Sequence, residues 1–367
     1  MSIVTSLTLS HFRSHKHLHL DLDKRPVAIF GPNGSGKTNI IEAISLFSPG
    51  RGVRRASAQT MMRRPEALGW KITGEIQTSD RTLEIESISE SGAPRQVKID
   101  GKQITQVELG KHVRVLWLVP SMDRLWIEGA EGRRRFLDRI TLSFFPKHAK
   151  NCLSYDKAMR ERNRLLKEQV SDANWYIALE SQMAKSGAAI YKARIQAIER
   201  ISQAQSSAST QFPIAKLELQ RNEGKLPESE DDLSAAFAES RFQDLAVGRT
   251  LVGPHKMDMH GTYMAKGVPA SDCSTGEQKA LLISIILANA RALTQDQGTK
   301  PLILLDEVSA HLDKDRRAAL YKEICDLKLQ AWMTGTGLEL FSELGNDAQF
   351  LAVSDQDCCT INYSSYN

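Results

Sequence analysis

The 367-residue chain lacks the features that would place it in a membrane or outside the cell. No apolar run approaches the roughly 18 to 20 residues needed to cross a bilayer. The opening Met1-Ser2-Ile3-Val4 has neither the charged nor the apolar region of a secretory signal, so a cytoplasmic location is expected. Five cysteines (Cys152, Cys273, Cys325, Cys358, Cys359) form no C-x-x-C pair, which excludes the usual zinc and redox-dithiol patterns and leaves reduced thiols. A surplus of one charge is also missing. The net charge of +4 is too mild to demonstrate a polyanionic partner, although Arg51, Arg54, Arg55, Arg63 and Arg64 fall close together with no acid among them. Hydrophobic residues make up 41%, enough to fill the cores of two or three domains.

What is present centres on residues 27–38. Val27-Ala28-Ile29-Phe30 is a short apolar run that reads as a buried strand. Gly31-Pro32-Asn33-Gly34-Ser35-Gly36-Lys37-Thr38 then matches the nucleotide loop of glycine, four residues and Gly-Lys-Thr. Glycines let the backbone curl around phosphates without a Cβ in the way. Lys37 supplies a cation to the β and γ phosphates, and Thr38 a hydroxyl to Mg²⁺. The helix expected from near Asn39 points its positive end at the same anion.

A second motif completes the chemistry. Pro301 to Leu305 is an apolar strand ending in Asp306-Glu307, and such a strand is expected in the same parallel sheet as the lysine loop. Asp306 then becomes the Mg²⁺ residue, and Glu307 the carboxylate that orients and deprotonates water. Between these motifs, Cys273-Ser274-Thr275-Gly276-Glu277-Gln278-Lys279 opens a long apolar helix. By itself it is a well-capped helix; ahead of Asp306, Ser274 and Gly276 are also candidate nucleotide contacts.

The remaining pattern is α/β with an antiparallel layer. Residues 3–9 and 18–22 read as a strand pair, and four histidines at positions 11–19 as strand and loop surface. Strands are expected over 71–77, 82–89, 96–104 and 113–119. From 132 to 210 the spacing of Leu179, Met183, Ile190 and Ile201 predicts helix. Two antiparallel helices, the second of some 35 residues and roughly 50 Å, would form an arm, with a plain helical subdomain as the alternative. Residues 226–232 read as an exposed acidic loop. The expected division is 1–131 and 211–367 for the two parts of an ATPase domain and 132–210 for the helical arm.

Taken together, the glycine-lysine loop, Ser-x-Gly-x-Gln, Leu-Leu-Asp-Glu and Ser-Ala-His-Leu-Asp resemble the ATP-binding cassette (ABC-type) ATPases, and among them the SMC/Rad50-like branch that works on DNA. Residues 33–44, Gly132 to Asp138 and Thr250 to His255 are similar to segments of the RecF family of recombination mediators. The resemblance implies an ABC-type α/β head with a parallel-sheet core, an antiparallel layer and an inserted helical arm. It implies ATP and Mg²⁺ as cofactors and a head-to-tail dimer. Each ATP would be held by Gly31 to Asn39 of one chain and capped by Ser274 and Gly276 of the other, with Ser309 to Asp313 at the boundary. Arg13 resembles a nucleotide-holding arginine, beside the plainer reading of a surface arginine. Weak, DNA-stimulated ATP hydrolysis and RecA loading with RecO and RecR during gap repair and replication-fork maintenance are the implied activities.

Two departures bear on turnover. Pro120-Ser121-Met122-Asp123 stands where the superfamily carries its loop glutamine, and Trp332 to Thr336 where it carries a histidine. Arg51, Arg54, Arg55, Arg63 and Arg64, and separately Arg133, Arg134 and Arg135, are candidate DNA phosphate contacts or else solvated surface. No base-reading helix or aromatic platform is evident, so binding to single- or double-stranded DNA would be sequence-independent. A nuclease-associated ATPase of the same branch is the alternative; a transporter ATPase fits less well, given the β layer and long helices.

Overall fold

A computed structural model describes residues 2–221, 229–308, 312–354 and 358–361. The chain begins with β1 (Ile3–Phe12), β2 (His15–Asp21), β3 (Val27–Phe30) and α1 (Lys37–Ser45). Then come β4 (Gly69–Gln77), β5 (Thr82–Glu90), β6 (Gln96–Ile99), β7 (Lys102–Ile104), α2 (Gln106–His112) and β8 (Val115–Leu118). Three helices follow, α3 (Ala130–Phe144), α4 (His148–Lys167) and α5 (Ala173–Ser206), before β9 (Ala215–Arg221), α6 (Glu230–Val247), β10 (Met257–Tyr263) and β11 (Val268–Pro269). The last elements are α7 (Thr275–Gln297), β12 (Leu302–Leu305), α8 (Lys314–Asp326), β13 (Ala331–Gly335), β14 (Gln349–Val353) and β15 (Cys358–Ile361).

Two compact units result: Met1–Asp123 with Ala204–Ile214 and Ser274–Asn367, and Arg124–Gln203 with Ala215–Cys273. The first contains an antiparallel sheet of order β2-β1-β4-β5-β6-β7 and a second sheet of order β15-β14-β3-β13-β12-β8. In the latter, β14, β3, β13, β12 and β8 run parallel and β15 is antiparallel. Helix α1 packs against both β1 and β13, and Ile40, Ile41, Ala43 and Ile44 have no exposed surface. Its side chains join Leu7, Leu9, Ile72, Leu304 and Trp332 in one core.

Strand β13 lies between β3 and β12, with Thr334 beside Ile29 and Met333 beside Leu305. The loop after β3 and the acids after β12 therefore emerge at the same, C-terminal end of the parallel strands, separated by one strand.

The second unit has its own core, in which Tyr155, Met183, Leu233, Phe237 and Met257 meet. Its buried Arg162 donates to Glu180 and Asp244 at 2.9 and 2.7 Å. The helical stretch contains three helices, not the two expected. Pro146 cannot continue a helix and disfavours helical backbone at Phe145, so α3 ends there, while Asp172 accepts the Asn174 N–H at 2.9 Å and opens α5. That long helix has 34 residues. The unit also takes in 215–273, which the sequence had assigned to the ATPase part. Antiparallel pairing of β9 with β10, and packing of α3 on β10 and α6 on α4, tie those residues to the helices. Of the expected acidic loop, 226–228 lie outside the described residues, while Glu230 to Asp232 form the first turn of α6, capped by Ser229.

Candidate nucleotide site

Backbone geometry explains the glycines of the loop. Gly31 has φ +149°, and a Cβ there would come within 2.0 Å of the Val353 carbonyl oxygen. Gly36, at φ +100°, would press a Cβ to 2.6 Å from the Ser14 hydroxyl. Neither place admits a side chain. Gly36 is also the N-cap of α1, and no side chain caps that end. The first N–H groups of the helix are consequently left for an external acceptor.

The polar groups around this end fit a phosphate and a hard cation. Ser35 Oγ is buried without a hydrogen-bond partner. Lys37 Nζ donates to the Gly31 and Pro32 carbonyls, both at 2.7 Å, so it folds back over its own loop. Burial pulls its ammonium below the usual lysine range, against the opposing pull of the Glu307 and Asp306 carboxylates. The Thr38 hydroxyl donates to Asp306 Oδ1 at 3.0 Å. An adjacent hydroxyl and carboxylate are the oxygen donors that Mg²⁺ prefers.

Asp306 has a second hydroxyl partner, Thr334, at 2.7 Å. Thr334 Oγ1 also accepts the Glu307 N–H at 2.9 Å, and Glu307 stands at φ +54°. Sequence reading noted only that no histidine stands here. The missed residue is Thr334, whose strand β13 lies between those of the loop and the acids.

The β1–β2 turn closes the other side. His15 Nε2 lies 3.3 Å from the Gly36 carbonyl, and burial holds its imidazole below the usual histidine range. His15 was expected at the surface; β1–β2 pairing instead turns it onto the nucleotide loop. Asn39 Nδ2 donates to Ser14 Oγ at 2.7 Å. Arg13 forks onto the fully buried Glu42 of α1, at 2.8 and 2.6 Å, and also donates to the Thr60 carbonyl at 2.7 Å. Its guanidinium is thus engaged within the chain.

Ser274 caps α7 through a reciprocal pair with Glu277, and among the described residues its side chain pairs only with Glu277. A Cβ on Gly276 would meet nothing within 4 Å, so that face is open. Ser309, Ala310 and His311 lie outside the described residues; Asp313 caps α8 through the Arg316 N–H at 2.8 Å. Where the loop glutamine is lacking, Asp123 accepts from the buried Lys279 of α7 at 3.2 Å.

The arginines separate into two kinds. Arg54 donates to Asn39 and to Glu42, at 2.9 and 3.2 Å, and Arg63 to the Ser14 carbonyl at 2.9 Å. Arg51, Arg55 and Arg64 are exposed. Arg133 forks onto Asp258 at 2.8 and 2.7 Å, Arg134 donates to the Met257 carbonyl at 2.9 Å, and Arg135 pairs with Glu131. All three lie near the start of α3, where Arg133 and Arg134 fasten it to β10 while Arg135 is exposed.

Comparison with known proteins agrees with this layout. Residues 3–357 match the RecF/RecN/SMC N terminal domain. The chain is 43% identical over 362 residues to the DNA replication and repair protein RecF of Rhizobium rhizogenes, covering 96% of both. It is 41% identical to RecF of Caulobacter vibrioides, covering 97% of both. Among solved structures, the recombination mediator protein RecF-ATP of the RecFOR pathway superposes with a TM-score of 0.83 at 22% identity, over 98% of each chain. The Smc head domain of Pyrococcus furiosus gives 0.56 at 16% identity, over 100% of this chain and 98% of that one, a likeness of fold. With a family model spanning nearly its full length and curated relatives above 40% identity, the chain belongs to the RecF family of DNA replication and repair proteins.

Proposed function

We propose that this protein is an ATP-dependent DNA-binding recombination mediator that hydrolyses ATP slowly and uses it as a switch. The observation that carries the reading is the Thr38–Asp306 pair beside an uncapped helix start and an unpartnered Ser35 hydroxyl. Gly31 to Asn39 would cradle the phosphates, with Lys37 neutralising their charge. Thr38 and Asp306 would hold Mg²⁺, which supplies charge neutralisation on the phosphate oxygens. Glu307 would orient water and take its proton.

Ser274 and Gly276 of a second copy would cap the nucleotide, so ATP would favour a homodimer and its hold on DNA. Exposed Arg51, Arg55 and Arg64 would contact phosphates of single- or double-stranded DNA without reading sequence. Acting in the cytoplasm with RecO and RecR, the protein would promote RecA loading in gap repair and fork maintenance. No helix of the described residues is long and apolar enough to cross a membrane.

Mass in solution by light scattering tests this directly, without nucleotide, with ADP, and with ATP and Mg²⁺, each with and without a short gapped duplex. A dimer formed only with ATP, and retaining DNA only then, is the expected result. A monomer in every condition would remove the composite interface.

A further inference from the structure

We infer that Thr334 is a positioning residue for both acids of the site: one hydroxyl fixes the Asp306 carboxylate and the backbone of Glu307. The inference deepens the ATPase reading and rests on it for the catalytic consequence, though not for the positioning itself.

The hydrogen-bond pattern determines where the hydroxyl proton goes. Thr334 Oγ1 accepts from the Glu307 N–H at 2.9 Å, and its own O–H donates to Asp306 Oδ1 at 2.7 Å. A hydroxyl has one proton to give and lone pairs to receive, so both roles are filled at once. Thr334 is fully buried on β13, the strand between the nucleotide-loop strand β3 and the acid strand β12. Water therefore has no access to replace the bond.

Glu307 needs such a support. At φ +54° it occupies the left-handed region, which side chains other than glycine seldom adopt and which surrounding structure must hold in place. Its N–H has the Thr334 hydroxyl as acceptor, so loss of that oxygen frees the peptide that sets the direction of the carboxylate. The other support of Asp306 is Thr38, which is also the residue proposed to share the cation. Thr334 lies on β13, outside the nucleotide loop, and can hold Asp306 whether or not the cation is present.

The test compares Thr334→Val, which keeps the shape and loses the hydroxyl, with Thr334→Ser, which keeps the hydroxyl. In the nucleotide-free protein, amide exchange across 305–308 should quicken in Thr334→Val and stay near wild type in Thr334→Ser. With ATP and Mg²⁺, Thr334→Val should lower kcat by roughly tenfold to a hundredfold, the scale of a misplaced catalytic group. Binding of a fluorescent ATP analogue without Mg²⁺ should change by no more than about twofold, since the phosphate contacts remain. Thr334→Ser should restore most of the rate. If Thr334→Val does not fold, Thr334→Ala replaces it in the same comparison. Unchanged amide exchange in the valine variant, or a serine variant as impaired as the valine one, would overturn the inference. Quickened exchange alongside a wild-type chain that neither binds nor hydrolyses ATP would leave Thr334 as a support and overturn the ATPase reading instead.

Discussion

Thr38 and Asp306 are separated by 268 residues in the chain, yet their side-chain oxygens meet at 3.0 Å. One lies after strand β3 and the other just after β12, and the parallel sheet brings both to the C-terminal end of its strands. This juxtaposition makes different predictions for the three charged residues nearby. Lys37→Ala should weaken ATP binding, because the buried cation proposed to neutralise the phosphates is lost. Glu307→Gln should bind ATP normally but turn over on the order of a hundredfold or more slowly, as expected for loss of a general base. Asp306→Asn should bind nucleotide with a reduced response to Mg²⁺. Equilibrium binding and single-turnover hydrolysis, measured side by side, distinguish the three; normal hydrolysis by both Lys37→Ala and Glu307→Gln would sink the site assignment.

Ser35 gives a narrower prediction. Its hydroxyl is buried without a partner, and leaving a polar group in that condition costs folding energy. Ser35→Ala should therefore leave the melting temperature of the nucleotide-free protein unchanged or slightly raised. If the hydroxyl serves the phosphates, the same variant should bind ATP about fivefold more weakly, equivalent to about 1 kcal/mol. A lower melting temperature with unchanged ATP affinity would show that the hydroxyl serves the fold instead.

The nucleotide loop was legible in sequence because its chemistry demands glycines, a lysine and a hydroxyl at fixed spacing, and Asp306-Glu307 because an apolar run ends abruptly in acid. Thr334, Ser14 and His15 were not legible. Each is an ordinary residue whose role comes from which strand or turn lies beside it, and strand order is a tertiary property. The same reason applies to Arg133, whose partner Asp258 is 125 residues away. Residues 215–273 cluster with the helices, a grouping that sequence does not show because pairing of β9 with β10 leaves no mark in local periodicity. Helix content from 132 to 210 is readable from its 3.6-residue spacing, whereas the break between α3 and α4 at Pro146 lies inside that periodic stretch.

Acid should destabilise the second unit in a defined window. His255 Nε2 lies 3.1 Å from the Thr250 carbonyl and Nδ1 lies 2.8 Å from the Tyr155 hydroxyl, so the neutral ring satisfies both partners. Burial brings its pKa down to about 4, opposed by the Thr250 hydrogen bond and aided by the charges of Lys256, Arg134 and Arg162. The unfolded chain takes up this proton near pH 6.5 and the folded one only near 4. Stability is consequently intact above pH 6.5 and falls as pH drops toward 4, by about 3 kcal/mol from this group. The melting temperature of the nucleotide-free protein, followed from pH 7.5 to 4, should decline through that window. His255→Gln should flatten the decline; an equal slope in the variant would assign the effect to other groups.

The two arginine clusters should respond differently to charge removal. Arg51, Arg55 and Arg64 are exposed, so replacing each with Gln should leave folding nearly unchanged. If they contact phosphates, each replacement should weaken binding to DNA of any sequence and lower the salt slope by about one. Arg133→Gln should do the reverse. The arginine is largely buried, and its removal takes both fork hydrogen bonds from the Asp258 carboxylate, itself only 9% exposed, leaving it His260 at 3.6 Å as ion-pair partner. Breaking such a pair costs about 3 kcal/mol, so a lowered melting temperature should appear even in the absence of DNA. The salt slope of whatever folded protein remains should equal that of wild type. Loss of slope at Arg133 with stability intact would mean that its fork on Asp258 opens to accept phosphate, and the division between the clusters drawn from their contacts would then fail.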